Sequence, residues 1–131
     1  MEELKISNRE IKSKLSTLWI FVMINILMAD IVGFMHPGAL ESIIKGDVGI
    51  EITGELLLFF SFLLEIPIAM IVLSRILKYK LNRSINIVAS VITILFVIAG
   101  GNESLTYIFF ATIEVIAMIY IFYSALKWKE E

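Results

Sequence analysis

Three acidic residues lie inside long apolar segments of this sequence: Asp30, Glu65 and Glu114. A carboxylate at the centre of a bilayer costs on the order of 2.5–3.5 kcal/mol on insertion scales, so such residues normally face a protein interior or a cavity. The nearest cationic residues lie at the segment ends, which suits a cation, a proton or a protonated amine as ligand. Alternatively, a protonated acid donates one hydrogen bond and clamps helices together. Both interpretations stay open.

Other polar residues stand at helical spacing from these acids or from one another. Residues three, four or seven positions apart share one face of a helix. The companions found in this way are Ser61 for Glu65, Tyr107 for Glu114, and a polar stripe of Asn86, Ser90 and Thr93. We predict that the three acids and these companions form one polar cluster that binds a ligand or an ion.

The depth of each acid in its segment suggests which of them carry function. Glu65 and Glu114 lie about ten residues from a segment end, roughly 15 Å deep, whereas Asp30 is roughly 9 Å below the surface. We expect Glu65 and Glu114 to face the core as a pair, in preference to Asp30. Because two like charges repel strongly in a low-dielectric site, the pair should share a proton or a bound cation. A kink at Pro67 would open a pocket or a hinge beside Glu65.

Four apolar segments must position these residues. The chain has 131 residues, of which 59% are hydrophobic, against about 45–50% in ordinary soluble domains. A helix needs about 20 apolar residues to cross a bilayer. The segments predict an all-α fold, a single integral membrane domain over 1–131 with transmembrane helices at about 15–35, 52–77, 82–101 and 105–127.

The distribution of Lys and Arg predicts the orientation. Of 11 such residues, ten lie in the two tails and the second connection, and Lys45 alone lies on the other side. By the positive-inside rule, both termini should be cytoplasmic. The first outer loop contains "PGALESIIKG", whose apolar spacing predicts a short amphipathic helix on the outer membrane surface.

Several site classes are excluded or disfavoured. The chain has no Cys and one His, His36, and it contains none of the common phosphate-loop, metalloprotease or serine-hydrolase motifs. We therefore expect no metal centre, no cofactor, no catalytic residue and no nucleic-acid partner. Most of the Tyr and Trp residues, including Trp19, Tyr107 and Trp128, lie near predicted membrane interfaces, where aromatic rings anchor helices.

The chain resembles a family of small four-helix integral membrane proteins of bacteria and archaea, a domain of unknown function. The likeness spans nearly the whole chain and is clearest at "EIPIAMIVLSR" (65–75), "NRSINIVA" (82–89) and "FFATIE" (109–114). It implies the four-span architecture, a location in the cytoplasmic membrane of a prokaryote, and no activity. The residues to which it draws attention are Glu65, Arg75, Asn82, Asn86 and Glu114.

Three functions stay open at this level. The first is a binding or transport protein whose carboxylate-lined pocket takes a cation, a proton or a cationic amphiphile. The second is a structural or accessory subunit whose acids serve helix packing. The third, a lipid-modifying enzyme using a carboxylate as general acid or base, lacks a visible nucleophile. A homo-oligomer in the lipid bilayer is expected, since Ala89, Ala99, Gly100 and Gly101 permit close helix approach.

Overall fold

The computed structural model describes residues 2–47, 51–101 and 104–129. These residues form five helices and no strand. The helices are α1 (Glu2–Phe34), α2 (Ala39–Ile44), α3 (Gly54–Ile76), α4 (Tyr79–Ala99) and α5 (Leu105–Lys127). The predicted all-α fold is confirmed.

Four of the helices are long and apolar enough to cross a membrane. They cover Asn8–Phe34, Gly54–Ile76, Tyr79–Ala99 and Leu105–Lys127, with mean hydropathy between 1.9 and 2.6. Two predicted boundaries differ from the structure. The first helix already begins at Glu2, because nothing in its polar amino-terminal turns breaks a helix, and α4 begins at Tyr79 rather than near 82.

The early start of α4 comes from the tight turn that joins it to α3. Only Leu77 and Lys78 separate the two helices. The last carbonyls of a helix lack hydrogen-bond donors within that helix. Here the side chain of Asn82 donates to two of the carbonyls at this turn. Its Nδ2 donates to the carbonyls of Ser74 and Leu77, at 2.8 and 3.1 Å. Asn82, predicted as the first residue of the third membrane helix, therefore lies one turn inside α4.

The four long helices form a ring in the order α1, α3, α4, α5 and back to α1. The charged residues Arg75, Lys78 and Lys127 lie at one end of this ring, which we call the basic end. The opposite end carries α2 and the α4–α5 connection, and we call it the loop end. An apolar core fills the centre, with Val22, Met70, Met118 and Ile121 at most 1% exposed.

Buried polar side chains connect α1, α3 and α4 in the half of the bundle near the basic end. Trp19 donates from Nε1 to Oδ1 of Asn86 at 2.8 Å, directly across the ring. The same Oδ1 accepts from Ser74 at 3.3 Å, and Asn86 Nδ2 donates to Asn82 Oδ1 at 2.6 Å. We call these four residues the asparagine network. The prediction that Trp19 anchors a membrane interface is wrong, because its side chain is fully buried.

Trp128, which follows α5, makes a second set of contacts at the basic end. Trp128 is 2% exposed, and its Nε1 donates to Asn8 Oδ1 at 2.9 Å. The hydroxyl of Tyr79 donates to the carbonyl of Trp128 at 2.8 Å, and the two rings pack edge to face. Trp128 therefore ties α1 to the α3–α4 turn, and the expectation that it is an interfacial anchor is also wrong.

The short helix α2 occupies the first loop, within the predicted "PGALESIIKG" stretch. Gly38 before it and Gly46 after it have φ of 83° and 73°, a conformation that favours glycine. Its apolar residues Leu40, Ile43 and Ile44 are exposed. Their contact with an outer membrane surface stays a prediction, as does the cytoplasmic location of both termini.

Candidate functional site

An acidic cavity of about 270 Å³ lies between the four long helices, in the half of the bundle near the loop end. We call it the chamber. Most of its wall is apolar, and its two carboxylates belong to Asp30 and Glu114. The lining residues are Ile26, Ala29, Asp30, Phe60, Leu64, Phe96, Val97, Gly100, Tyr107 and Glu114.

Glu114 reaches the chamber because it continues the buried face of α5. Ala117, Met118, Ile121 and Ala125 follow it at spacings of three and four residues, and all are buried. The Glu114 side chain is 3% exposed. Among the described residues it has no hydrogen-bond partner, which is rare for a buried polar group. Glu114 is thus a buried residue whose carboxyl group lines the chamber and bonds to no described side chain.

Asp30 joins the chamber from α1. It follows Met23 and Ile26 at helical spacing, and both of those are buried at 7% exposure. Asp30 itself is exposed, because it stands where the chamber opens. It also makes no hydrogen bond to the described residues. The second acid beside Glu114 in the chamber is therefore Asp30, and not Glu65 as predicted from the depth of each acid in its segment.

A second cavity of about 440 Å³ lies between the chamber and the loop end. We call it the vestibule. The two cavities share Ala29, Asp30, Gly100 and Tyr107 in their walls. The remaining vestibule residues are Gly33, Phe34, His36, Ala39, Ser42, Ile43, Asp47, Ser104 and Thr106. The two adjacent cavities thus form a path from the loop end past Asp30 to Glu114.

The vestibule wall is held by a contact between the first loop and α5. His36 Nε2 and Thr106 Oγ1 lie 3.0 Å apart, within hydrogen-bond distance. His36 lies in the first loop, between α1 and α2. Its position shows that the loop contributes to the path, a feature for which the local sequence holds no signal.

The charges along this path favour cations. Among the described residues that line the two cavities, Asp30, Asp47 and Glu114 are acids and none is Lys or Arg. Lys45, which stands two residues before Asp47 in the sequence, forms an ion pair with Glu41 at 2.7 Å. A cleft lined by charges of one sign concentrates ions of the opposite sign.

Tyr107 lines both cavities and packs against Gly101. The Tyr107 hydroxyl donates to the carbonyl of Val97, which joins α5 to α4. The ring lies so close to Gly101 that a Cβ at that position would clash with it. Gly101 is therefore required for the close approach of the Tyr107 ring. This glycine serves the packing of α4 and α5 against each other.

We expect Gly101→Ala to lower the free energy of unfolding by about 1–3 kcal/mol, because the added methyl overpacks a filled site. Thermal or denaturant unfolding in mild detergent measures the change. Gly33→Ala is the matched control. Nothing lies within 4 Å of a Cβ at this helical position, so alanine should stabilise by roughly 0.5–1 kcal/mol. Equal effects of the two substitutions would contradict the close approach.

The prediction that Glu65 faces the core beside Glu114 is wrong. Glu65 is exposed on the outer surface of α3, and it does not line the chamber. Ser61, its predicted companion, is exposed as well and donates to the carbonyl of Leu57 at 2.8 Å. The reason is rotational: Glu65 lies about 140–160° around the helix from the buried Pro67 and Met70.

The polar stripe of α4 faces the interior as predicted, but its members do different things. Asn86 belongs to the asparagine network, and Ser90 Oγ donates to the carbonyl of Ile87 at 2.9 Å. Thr93 is 1% exposed, and its Oγ1 has no partner within the described part of the chain. Thr93 stands one turn from Phe96 and Val97 of the chamber wall. Asn86 and Ser90 thus serve structure, and neither lines the chamber.

The comparisons with known proteins give one finding. Residues 4–131 match the model of a family described as "Family of unknown function (DUF6326)". No curated protein and no solved structure matches the chain.

Proposed function

The chain belongs to the DUF6326 family, a family of unknown function, and we propose that it is a multi-pass protein of the cell membrane that binds a small organic cation in the chamber. The cation enters from the loop end through the vestibule, and a proton exchanges for it at the two acids. Transport across the membrane or presentation to a partner would both begin with this binding step.

The observation that carries the proposal is Glu114, which is 3% exposed and has no hydrogen-bond partner among the described residues. Desolvating a carboxyl group without a hydrogen bond is expensive, and intramembrane acids of this kind are functional by default. A cation bound between Glu114 and Asp30 would restore the lost interactions, because hydrogen bonds between ionised partners are the strongest kind.

The chemistry of the wall favours an ammonium ion with an apolar body over a bare metal ion. Ca²⁺ takes six to eight oxygen ligands and Mg²⁺ takes six, whereas the chamber offers two carboxylates in an apolar wall. Phe60, Leu64 and Phe96 would contact an apolar group. Most ligand pockets share this composition, an apolar wall with a few convergent polar groups.

The structural alternative draws less support from these contacts. An acid that holds helices together does so by donating or accepting a hydrogen bond, and Glu114 and Asp30 make none to the described residues. Polar contacts between helices are already made by the asparagine network and by Tyr107. The acids are therefore free for a ligand.

Binding of benzylammonium to the purified chain tests the proposal, with benzyl alcohol as a neutral probe of similar shape. We expect the cation, and not the alcohol, to raise the unfolding temperature, because a ligand that binds the folded state stabilises it. Glu114→Gln should weaken the binding of benzylammonium by about tenfold or more, which corresponds to about 1.4 kcal/mol.

Glu65→Gln is the matched control, since it is the same substitution on a carboxyl group outside the chamber. It should leave benzylammonium affinity unchanged. Equal stabilisation by the amine and the alcohol, or equal losses in the two variants, would refute the proposed site.

A further inference from the structure

The exposed face of α3 contains an acidic residue where a membrane protein would normally place an apolar one. Glu65 lies at the middle of this helix, which covers Gly54–Ile76. The buried residues of α3 are Pro67, Met70 and Ser74, and they lie on the opposite side. Glu65 makes no hydrogen bond or ion pair to the described residues. Glu65 also lines neither the chamber nor the vestibule.

Apart from Ser61, the exposed residues next to Glu65 on this face of α3 are apolar. A stripe at helical spacing runs through Leu58, Ser61, Phe62, Glu65, Ile68 and Val72, all of them exposed. A carboxyl group pointing into hydrocarbon is strongly unfavourable, and such residues almost always face protein or water. Association with another helix that offers a polar group removes this penalty.

A second copy of the chain offers that group at the correct depth. The strong imbalance of Lys and Arg gives every copy the same orientation. An isologous interface uses the same surface patch of both copies, so a two-fold axis normal to the membrane that passes beside the middle of α3 places Glu65 near its own equivalent. Glu65 meets Glu65, and a carboxylic acid can both donate and accept a hydrogen bond. Two such groups sharing a proton are self-complementary, and Ser61 adds a hydroxyl one turn away.

We propose that the exposed face of α3 is the interface of a parallel homodimer, closed at mid-membrane by the Glu65 carboxyl groups of the two copies. This interface lies outside the chamber and does not depend on what the chamber binds. Each copy keeps its own path past Asp30 to Glu114.

Cross-linking in native membranes tests the interface, and the absence of Cys from the chain makes each introduced thiol unique. Phe62→Cys and Ile68→Cys flank Glu65 on the stripe. Ile116→Cys on α5 and Val88→Cys on α4 are the controls, because both lie near the middle of a helix and are similarly exposed. After oxidation, we expect the stripe positions to give about fivefold or more cross-linked dimer than the controls.

The role of the carboxyl group is tested in the Phe62→Cys background. Glu65→Leu should lower the dimer yield about fivefold, in line with one interhelical hydrogen bond. Glu65→Gln should largely retain it, because a carboxamide also donates and accepts. Equal yields at stripe and control positions, absence of any dimer, or a product whose mass is not twice that of one chain would overturn the proposal. The last two results would mean that lipid or a different protein covers this face.

Discussion

Replacing Asn86 by alanine is expected to lower the free energy of unfolding by about 2–4 kcal/mol, the largest loss of stability for one substitution in this protein. Asn86 is fully buried, and its side chain bonds to Trp19, Ser74 and Asn82. Removing it leaves several buried donors and acceptors unpaired, and each unpaired group costs about 1–3 kcal/mol. Relaxation within the membrane bundle reduces the sum.

Unfolding of the purified chain in mild detergent, followed by tryptophan fluorescence, measures this loss, and Trp19 reports directly on the broken contact. Asn25→Ala is the matched control. Asn25 is half-buried and donates to the carbonyl of Phe21 within its own helix, so its removal should cost less than about 0.5 kcal/mol. Similar losses in the two variants would show that the asparagine network does not hold the helices together.

Removing both chamber acids, as Asp30→Asn with Glu114→Gln, is expected to abolish the binding of benzylammonium within the measurable range. Each hydrogen bond to a charged group contributes about 1.5–3 kcal/mol, so each single variant should lose about tenfold or more. The double variant should lose roughly a hundredfold or more. Titration of the probe against the wild type, the two single variants and the double variant measures these losses.

The same variants separate a ligand site from a structural role. Neither acid bonds to a described residue, so both single variants should unfold at or above the wild-type temperature. Asp47→Asn, which changes a vestibule residue outside the chamber, should alter affinity by less than about threefold, as expected of a charge remote from the bound cation. Full binding by Asp30→Asn would remove that residue from the site. Loss of folding in the acid variants would instead support the packing role.

Sequence alone was sufficient for the architecture of this protein. The four long helices follow from segments long and apolar enough to cross a bilayer, and α2 follows from Pro37, Gly46 and the apolar spacing of the first loop. The presence of buried polar residues on α4 also follows from local spacing, because Asn86, Ser90 and Thr93 repeat on one helical face. These features depend only on residues that are close together in the sequence, so the sequence is enough to predict them.

Only the tertiary structure decided which acids come together. A soluble helix shows its buried face by contrast with a polar one, but a membrane helix is apolar all round. The rotation of α3 is therefore set by its packing against α1 and α4, which places Pro67 and Met70 inside and Glu65 outside. Asp30 follows the buried Met23 and Ile26 on α1 and so reaches Glu114. Depth along a helix could be counted from the sequence, whereas rotation about its axis depends on neighbours that the sequence does not position.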